Sequence, residues 1–192
     1  MDRQKLVWYV SYGSNLCAAR FACYLRGGRP PGATRDYPGC RDTAEPRETV
    51  ALWLPGGIYF AWDSPVWDGG VAFYDPARPG PAAARGYLIT VEQLADVVAQ
   101  EMHRPPGASL DLAPVFGGGR QVIGPGRYET LLRVGERAGR PLVTFTAPWT
   151  AVSAPRRRPS AAYLRMLVSG LAESHGWTGY EAMNYLATQL ES

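Results

Sequence analysis

The chain has 192 residues, 46% hydrophobic and 19% charged, with a formal net charge of +3. That length suits one domain, 1–192, with room for a substantial core. Three cysteines and two histidines exclude a disulfide framework and a histidine-rich metal site, and no run reaches the ~18 apolar residues of a membrane span.

In chain order, Leu6 to Val10 alternates and is aromatic-rich, which predicts a strand. Tyr12-Gly13-Ser14-Asn15 follows, and Leu16 to Leu25 reads as a helix closed by Gly27 and Gly28. Ser14 and Asn15 are good N-caps for it. The Tyr-Gly-Ser-Asn stretch is either a plain strand-to-helix turn or a turn whose N–H groups face an anion at a helix start. Gly28 to Arg47 reads as loop. Short strands are predicted over Val50 to Leu54, Ile58 to Ala61, Gly70 to Tyr74 and Arg85 to Thr90, with glycine pairs between them.

Thr90-Val91-Glu92-Gln93 is a capping-box signature that opens a helix through about Met102. A long Gly/Pro-rich stretch, Pro105 to Gly126, precedes strands over Tyr128 to Val134 and Leu142 to Ala147. Arg156-Arg157-Arg158, flanked by prolines, reads as a solvated connector or a polyanion site. Ser160 caps a helix with Leu164, Leu167, Val168 and Leu171 inward, and Thr178 with Glu181 opens a last one. The fold class expected is α+β: a small mixed β-barrel or curved sheet with flanking helices.

Glu101 is the residue out of place. Leu94, Val97 and Val98 mark the apolar stripe of its helix, and Glu101 falls on that stripe while Glu92 and Asp96 lie off it. A carboxylate aimed at a core costs several kcal/mol unless it is paired, neutralised or used. Burial raises its pKa, which suits a group that both takes and gives a proton near neutral pH. The structural alternative is that it reaches solvent at the helix end or pairs with Arg104.

The Tyr12-Gly13-Ser14-Asn15-Leu16 block, with Arg20 four residues on, resembles the signature loop of the γ-glutamylcyclotransferase-like family. Further blocks match in the same order. They are "YFAWDSPVWDGGVAFYDP" with Ser64, Trp67, Gly69 and Gly70; "RGYLITVEQLADVVAQEM" with its acidic residue at Glu101; "RYETLLRV" with Tyr128; and "PSAAYL" with Tyr163. The resemblance implies one pocket, no cofactor, no metal and a small-molecule γ-glutamyl substrate. The substrate's own α-amine attacks its γ-carbonyl, releasing 5-oxoproline and an amine.

It further implies Glu101 as the catalytic acid–base group, with Tyr12, Gly13, Ser14, Asn15, Leu16, Tyr128 and Tyr163 binding substrate. Tyr128 is equally readable as aromatic core. Met102 stands where the family commonly has glycine, Ala147 where it often has tyrosine, and the 103–127 insertion begins beside Glu101. The same fold acting on another amide, such as a γ-glutamyl protecting group, stays open, as does a non-catalytic ligand-binding protein. No nucleic-acid or membrane partner is expected, since no basic stripe carries interleaved aromatics. A cytoplasmic monomer or homodimer with free thiols at Cys17, Cys23 and Cys40 is expected.

Overall fold

The computed structural model describes residues 5–30 and 35–191, so positions 31–34 of the loop expected over 28–47 lie outside it. Its strands are β1 (Leu6–Ser11), β2 (Glu48–Leu54), β3 (Gly57–Ser64), β4 (Gly69–Asp75), β5 (Ala82–Thr90), β6 (Arg120–Val122), β7 (Thr130–Arg137) and β8 (Arg140–Thr146). The helices are α1 (Ala18–Arg26), α2 (Val91–Glu101), α3 (Ala113–Gly118), α4 (Ala161–His175) and α5 (Gly179–Glu191).

The central strand β1 is covered on both faces, which explains its nearly unbroken apolar run. Trp8 and Val10 enter one core, under the β3–β4 hairpin, α4 and α5. Val7 and Tyr9 enter the other, under α1, α2 and α3. β1 runs antiparallel to β5 and parallel to β8 in a six-stranded sheet of order β2-β5-β1-β8-β7-β6.

Of the two shapes expected, barrel or curved sheet, the barrel does not form among the described residues. β3 and β4 make a separate two-stranded sheet. Thr146 of β8 joins it by its side chain: the hydroxyl donates to the Tyr74 carbonyl at 2.7 Å and accepts the Tyr74 N–H at 3.1 Å. A side chain therefore stands where a closing ladder would run.

The first helix begins later than its sequence pattern suggests. Ser14–Leu16 form a single 3-10 turn, Cys17 is extended, and α1 starts at Ala18. Gly170 of α4 explains the break. A Cβ there would sit 2.5 Å from the Leu16 Cβ and 2.7 Å from the Cys17 nitrogen, so only glycine lets α4 press against this turn. Neither Ser14 nor Asn15 caps α1. Its Ala18 N–H donates instead to Glu173 of α4 at 2.8 Å.

At α2 both halves of the capping box are present, with Gln93 N–H donating to Thr90 Oγ1 and Thr90 N–H to Gln93 Oε1, each at 3.0 Å. Leu94, Val97 and Val98 are buried as the pattern requires. Asp96, expected off the stripe, is nonetheless buried. Arg41 covers it, donating through its N–H and guanidinium, and Gly107 of the insertion adds a second N–H. Burial pushes the Asp96 pKa up, but these hydrogen bonds outweigh it and hold the carboxyl below its ordinary range.

The insertion is more ordered than its Gly/Pro content suggests. It contributes α3, which buries Val115, and β6, which pairs with β7. Arg104 leaves Glu101 alone and pairs with buried Glu129. The Arg156–Arg158 segment is a connector whose backbone follows the hairpin: Arg157 N–H donates to Phe60, and Gly70 N–H to the Arg158 carbonyl. A Cβ on Gly70 would lie 2.1 Å from the Arg157 carbonyl oxygen, so that glycine serves this close approach.

Candidate active site

The pocket opens beyond the C-terminal end of β1. Tyr12, Gly13, Ser14, Asn15, Glu101, Tyr128 and Tyr163 all line this cleft. Residues from 12 to 163 in sequence thus meet at one place, because β1, α2, the start of β7 and α4 converge there. Leu16 is the expected site residue the structure leaves out: its side chain is buried in the core and its N–H closes the turn onto the Gly13 carbonyl at 2.9 Å. The start of α1, which faces Glu173, is no anion site either.

Glu101 ends α2 with its carboxyl turned into the cleft. Asn15 Nδ2 donates to Glu101 Oε1 at 3.1 Å and also lies 3.2 Å from the Tyr9 hydroxyl. Burial drives the Glu101 pKa above its ordinary value. Arg20, the Tyr24 hydroxyl, Arg127 and the Asn15 amide oppose that shift without reversing it.

The three tyrosines differ in what their hydroxyls have left to offer. Tyr12 donates to the Phe145 carbonyl at 2.8 Å, and Tyr128 donates to the Ala72 carbonyl at 2.9 Å. Tyr163 does the reverse. Its oxygen accepts the Ala72 N–H at 3.1 Å and is also hydrogen-bonded by the Ser14 backbone. Its own proton therefore remains to be donated into the cleft. Burial raises its pKa to about 12, so the hydroxyl stays protonated at neutral pH.

Ser14 Oγ accepts from Arg20 Nε at 2.8 Å, so this side chain is engaged behind the turn. Arg20 itself is 4% exposed and also donates to the Tyr37 hydroxyl at 3.2 Å. On the far side of Glu101 the cleft continues into a second compartment that shares Ser14, Glu101, Tyr128 and Tyr163 with the first. Sequence reasoning named Arg20, Ser64 and Trp67 only as matched positions of the resemblance and did not assign this compartment. Trp62, His103 and Arg127 carry no spacing signal, and only the run of aromatics around the Ser64–Gly70 turn hinted at it.

Among the described residues no cluster of three or more His, Cys, Asp or Glu side chains could hold a metal ion, and no helix is long and apolar enough to cross a membrane.

No family profile matches the chain. A curated relative is Histone deacetylase 5 of Arabidopsis thaliana, 33% identical over 202 residues that take in 94% of this chain. The chain spans 30% of that protein's length. Among solved structures, one named gamma-glutamyl cyclotransferase superposes with a TM-score of 0.56 at 15% identity, covering 95% of this chain and 88% of the other. An uncharacterized protein from Homo sapiens gives the same TM-score and coverage at 17% identity. The chain has the γ-glutamyl cyclotransferase-like fold.

Proposed function

We propose that the chain is a cyclotransferase acting on a γ-glutamyl amide. The observation that carries this reading is Glu101, a carboxyl group raised in pKa by burial and clamped by Asn15 to the turn that forms the opposite wall. Glu101 removes a proton from the substrate's α-ammonium. The freed amine attacks the γ-carbonyl carbon, a C–N bond forms, and the five-membered ring closes. The old amide C–N bond then breaks as Glu101 returns the proton to the leaving nitrogen, and the ring nitrogen gives up its second proton, which departs with the amine as its ammonium form. The products are 5-oxoproline and the free amine.

Nucleophile and electrophile belong to one molecule, so holding the folded conformer supplies several kcal/mol of the barrier. The Tyr163 hydroxyl donates to the developing oxyanion, because its acceptor side is already occupied by main-chain N–H groups. The Gly13–Asn15 turn faces the substrate carboxylate. Ser14 acts through Tyr163, whose oxygen its backbone holds, since its own hydroxyl is held by Arg20.

The activity named in the Arabidopsis relative is said of a protein of which this chain spans 30%, and we propose no deacetylation here. The test is 5-oxoproline release, followed by mass spectrometry, from γ-glutamyl amino acids and γ-glutamyl amines. Release by the native chain and none by Glu101→Gln supports the reaction. Release by both discards Glu101 as the acid–base group, and release by neither discards the reaction.

A further inference from the structure

Beyond the Ser14, Glu101, Tyr128 and Tyr163 it shares with the first, the second compartment is lined by groups that the ring-closing step does not use. Arg20 sits at its base, buried, with its guanidinium carbon 5.2 Å from the Trp67 ring centre. Its Nε and Nη2 have partners in Ser14 and Tyr37, but its Nη1 is buried with no hydrogen-bond partner. An orphaned guanidinium nitrogen in a cavity wall needs an acceptor, and the strongest acceptor is an anion.

A second cation enters from the insertion. Arg127 stacks 4.3 Å over the Trp62 ring, and one of its nitrogens lies 3.4 Å from the Glu101 carbonyl oxygen. Trp62 holds its place at some cost. Its φ is 60°, in the left-handed region that a bulky side chain rarely adopts, and the β3–β4 register shifts between Ala61 and Ser64. Strain of this kind persists where the surroundings over-determine it, and here it presents an indole face to the compartment. His103, which also lines this space, has its pKa lowered by burial and by the charges of Arg35 and Arg127, so it is neutral at neutral pH.

We infer that this compartment is the subsite for the leaving half of the substrate, and that it selects an amine carrying both a carboxylate and a flat apolar body. Arg127 binds the carboxylate at the mouth with Arg20 behind it, and the indoles of Trp62 and Trp67 hold the body. The inference rests on the cyclotransfer reading of Glu101, because the scissile nitrogen must lie between the two compartments. Charge favours this occupant: among the described residues two guanidinium groups face the space, and Glu101 is the only carboxylate lining it.

The experiment compares γ-glutamyl-phenylalanine with γ-glutamyl-phenylalaninamide, which differ only in the charge at the far end of the leaving amine. The acid is expected to exceed the amide in kcat/KM by about tenfold or more, the usual weight of a charge-assisted hydrogen bond. In Arg127→Gln that ratio is expected to fall to about threefold or less, and the loss is expected in KM more than in kcat. Equal rates for acid and amide overturn the inference while leaving the reaction intact, as does a ratio that survives in Arg127→Gln.

If neither compound yields 5-oxoproline, the reaction reading fails and binding alone decides the subsite. Phenylalanine and phenylalaninamide are then titrated against tryptophan fluorescence, with Trp62→Phe marking the signal from the compartment. Tighter binding of phenylalanine, lost in Arg127→Gln, supports the anion subsite, and equal binding overturns it.

Discussion

The Asn15 side chain donates its amide to the Glu101 carboxylate at 3.1 Å, tying the turn after β1 to the last residue of α2 across 86 positions of sequence. The same amide lies 3.2 Å from the Tyr9 hydroxyl, so it is fixed from behind. A base that must meet an amine in one orientation gains from such a clamp.

Removing the clamp while leaving the base in place should therefore lower kcat more than it raises KM. Asn15→Ala is expected to cost about 10- to 100-fold in kcat. Asn15→Asp is expected to be worse, since it sets a second carboxylate against the first. Steady-state kinetics of 5-oxoproline release distinguish this from a pure binding role, in which KM alone would move.

The pH dependence has a definite sign. Glu101 must be charged to act as base, and burial raises its pKa above the ordinary glutamate value of 4.5. The acid limb of kcat/KM is accordingly expected above that value, and higher still in Arg127→Gln, which removes a cation that favours the carboxylate. For stability, the folded state holds the Glu101 proton more tightly than the unfolded state does. Stability therefore falls as pH rises from the ordinary value through the raised one. Glu101→Gln, always neutral, is expected to melt no lower than the native chain at pH 7 although it is inactive. A markedly lower melting temperature would place Glu101 among the stabilising residues instead.

Hydroxyl direction separates the tyrosines. Tyr163 accepts main-chain N–H bonds and keeps its proton, whereas Tyr12 and Tyr128 give theirs to the carbonyls of Phe145 and Ala72. Tyr163→Phe is expected to lower kcat by about 100-fold, the typical effect of deleting an oxyanion donor. Tyr12→Phe is expected to lower it several-fold at most, with its main effect on thermal stability. A reversed order would move the oxyanion to the Tyr12 side of the cleft.

Gly170 lies outside the cleft yet sets its wall. Gly170→Ala puts a Cβ 2.5 Å from that of Leu16 and 2.7 Å from the Cys17 nitrogen, both firmly packed. The variant is expected to lose about 1–3 kcal/mol by overpacking and to lose activity in its folded fraction, because the turn that carries Asn15 must shift. Denaturant titration beside kinetics checks both effects.

Much of the cleft was legible because its residues break local rules. Glu101 stands on an apolar stripe, and Tyr12 to Asn15 put a polar turn directly after a buried strand. Leu16 was misread for a physical reason: its spacing suits a helix, but Gly170 on a distant helix pins it in a 3-10 turn. Asp96 escaped notice as a buried group because Arg41 and Gly107, which cover it, lie on other segments. Arg127 and Trp62 left no trace, since one sits in a Gly/Pro-rich stretch and the other depends on a bulge. The join between the two sheets runs in part through the Thr146 hydroxyl, which no periodicity encodes.

That hydroxyl has a mechanical consequence. Apart from its main-chain bonds to the Pro155–Arg158 connector, the β3–β4 hairpin is fastened to the rest of the molecule by side-chain clips that include Thr146 on Tyr74, Tyr163 and Tyr128 on Ala72, and Gln189 of α5 on Ile58. Two of those clips are residues of the cleft. The seam between the two sheets thus runs through the pocket, and a molecule that fills the pocket also stiffens the seam. Amide protons of Ala72 and Tyr74 should then exchange as one unit, more slowly when the cleft is occupied than when it is empty.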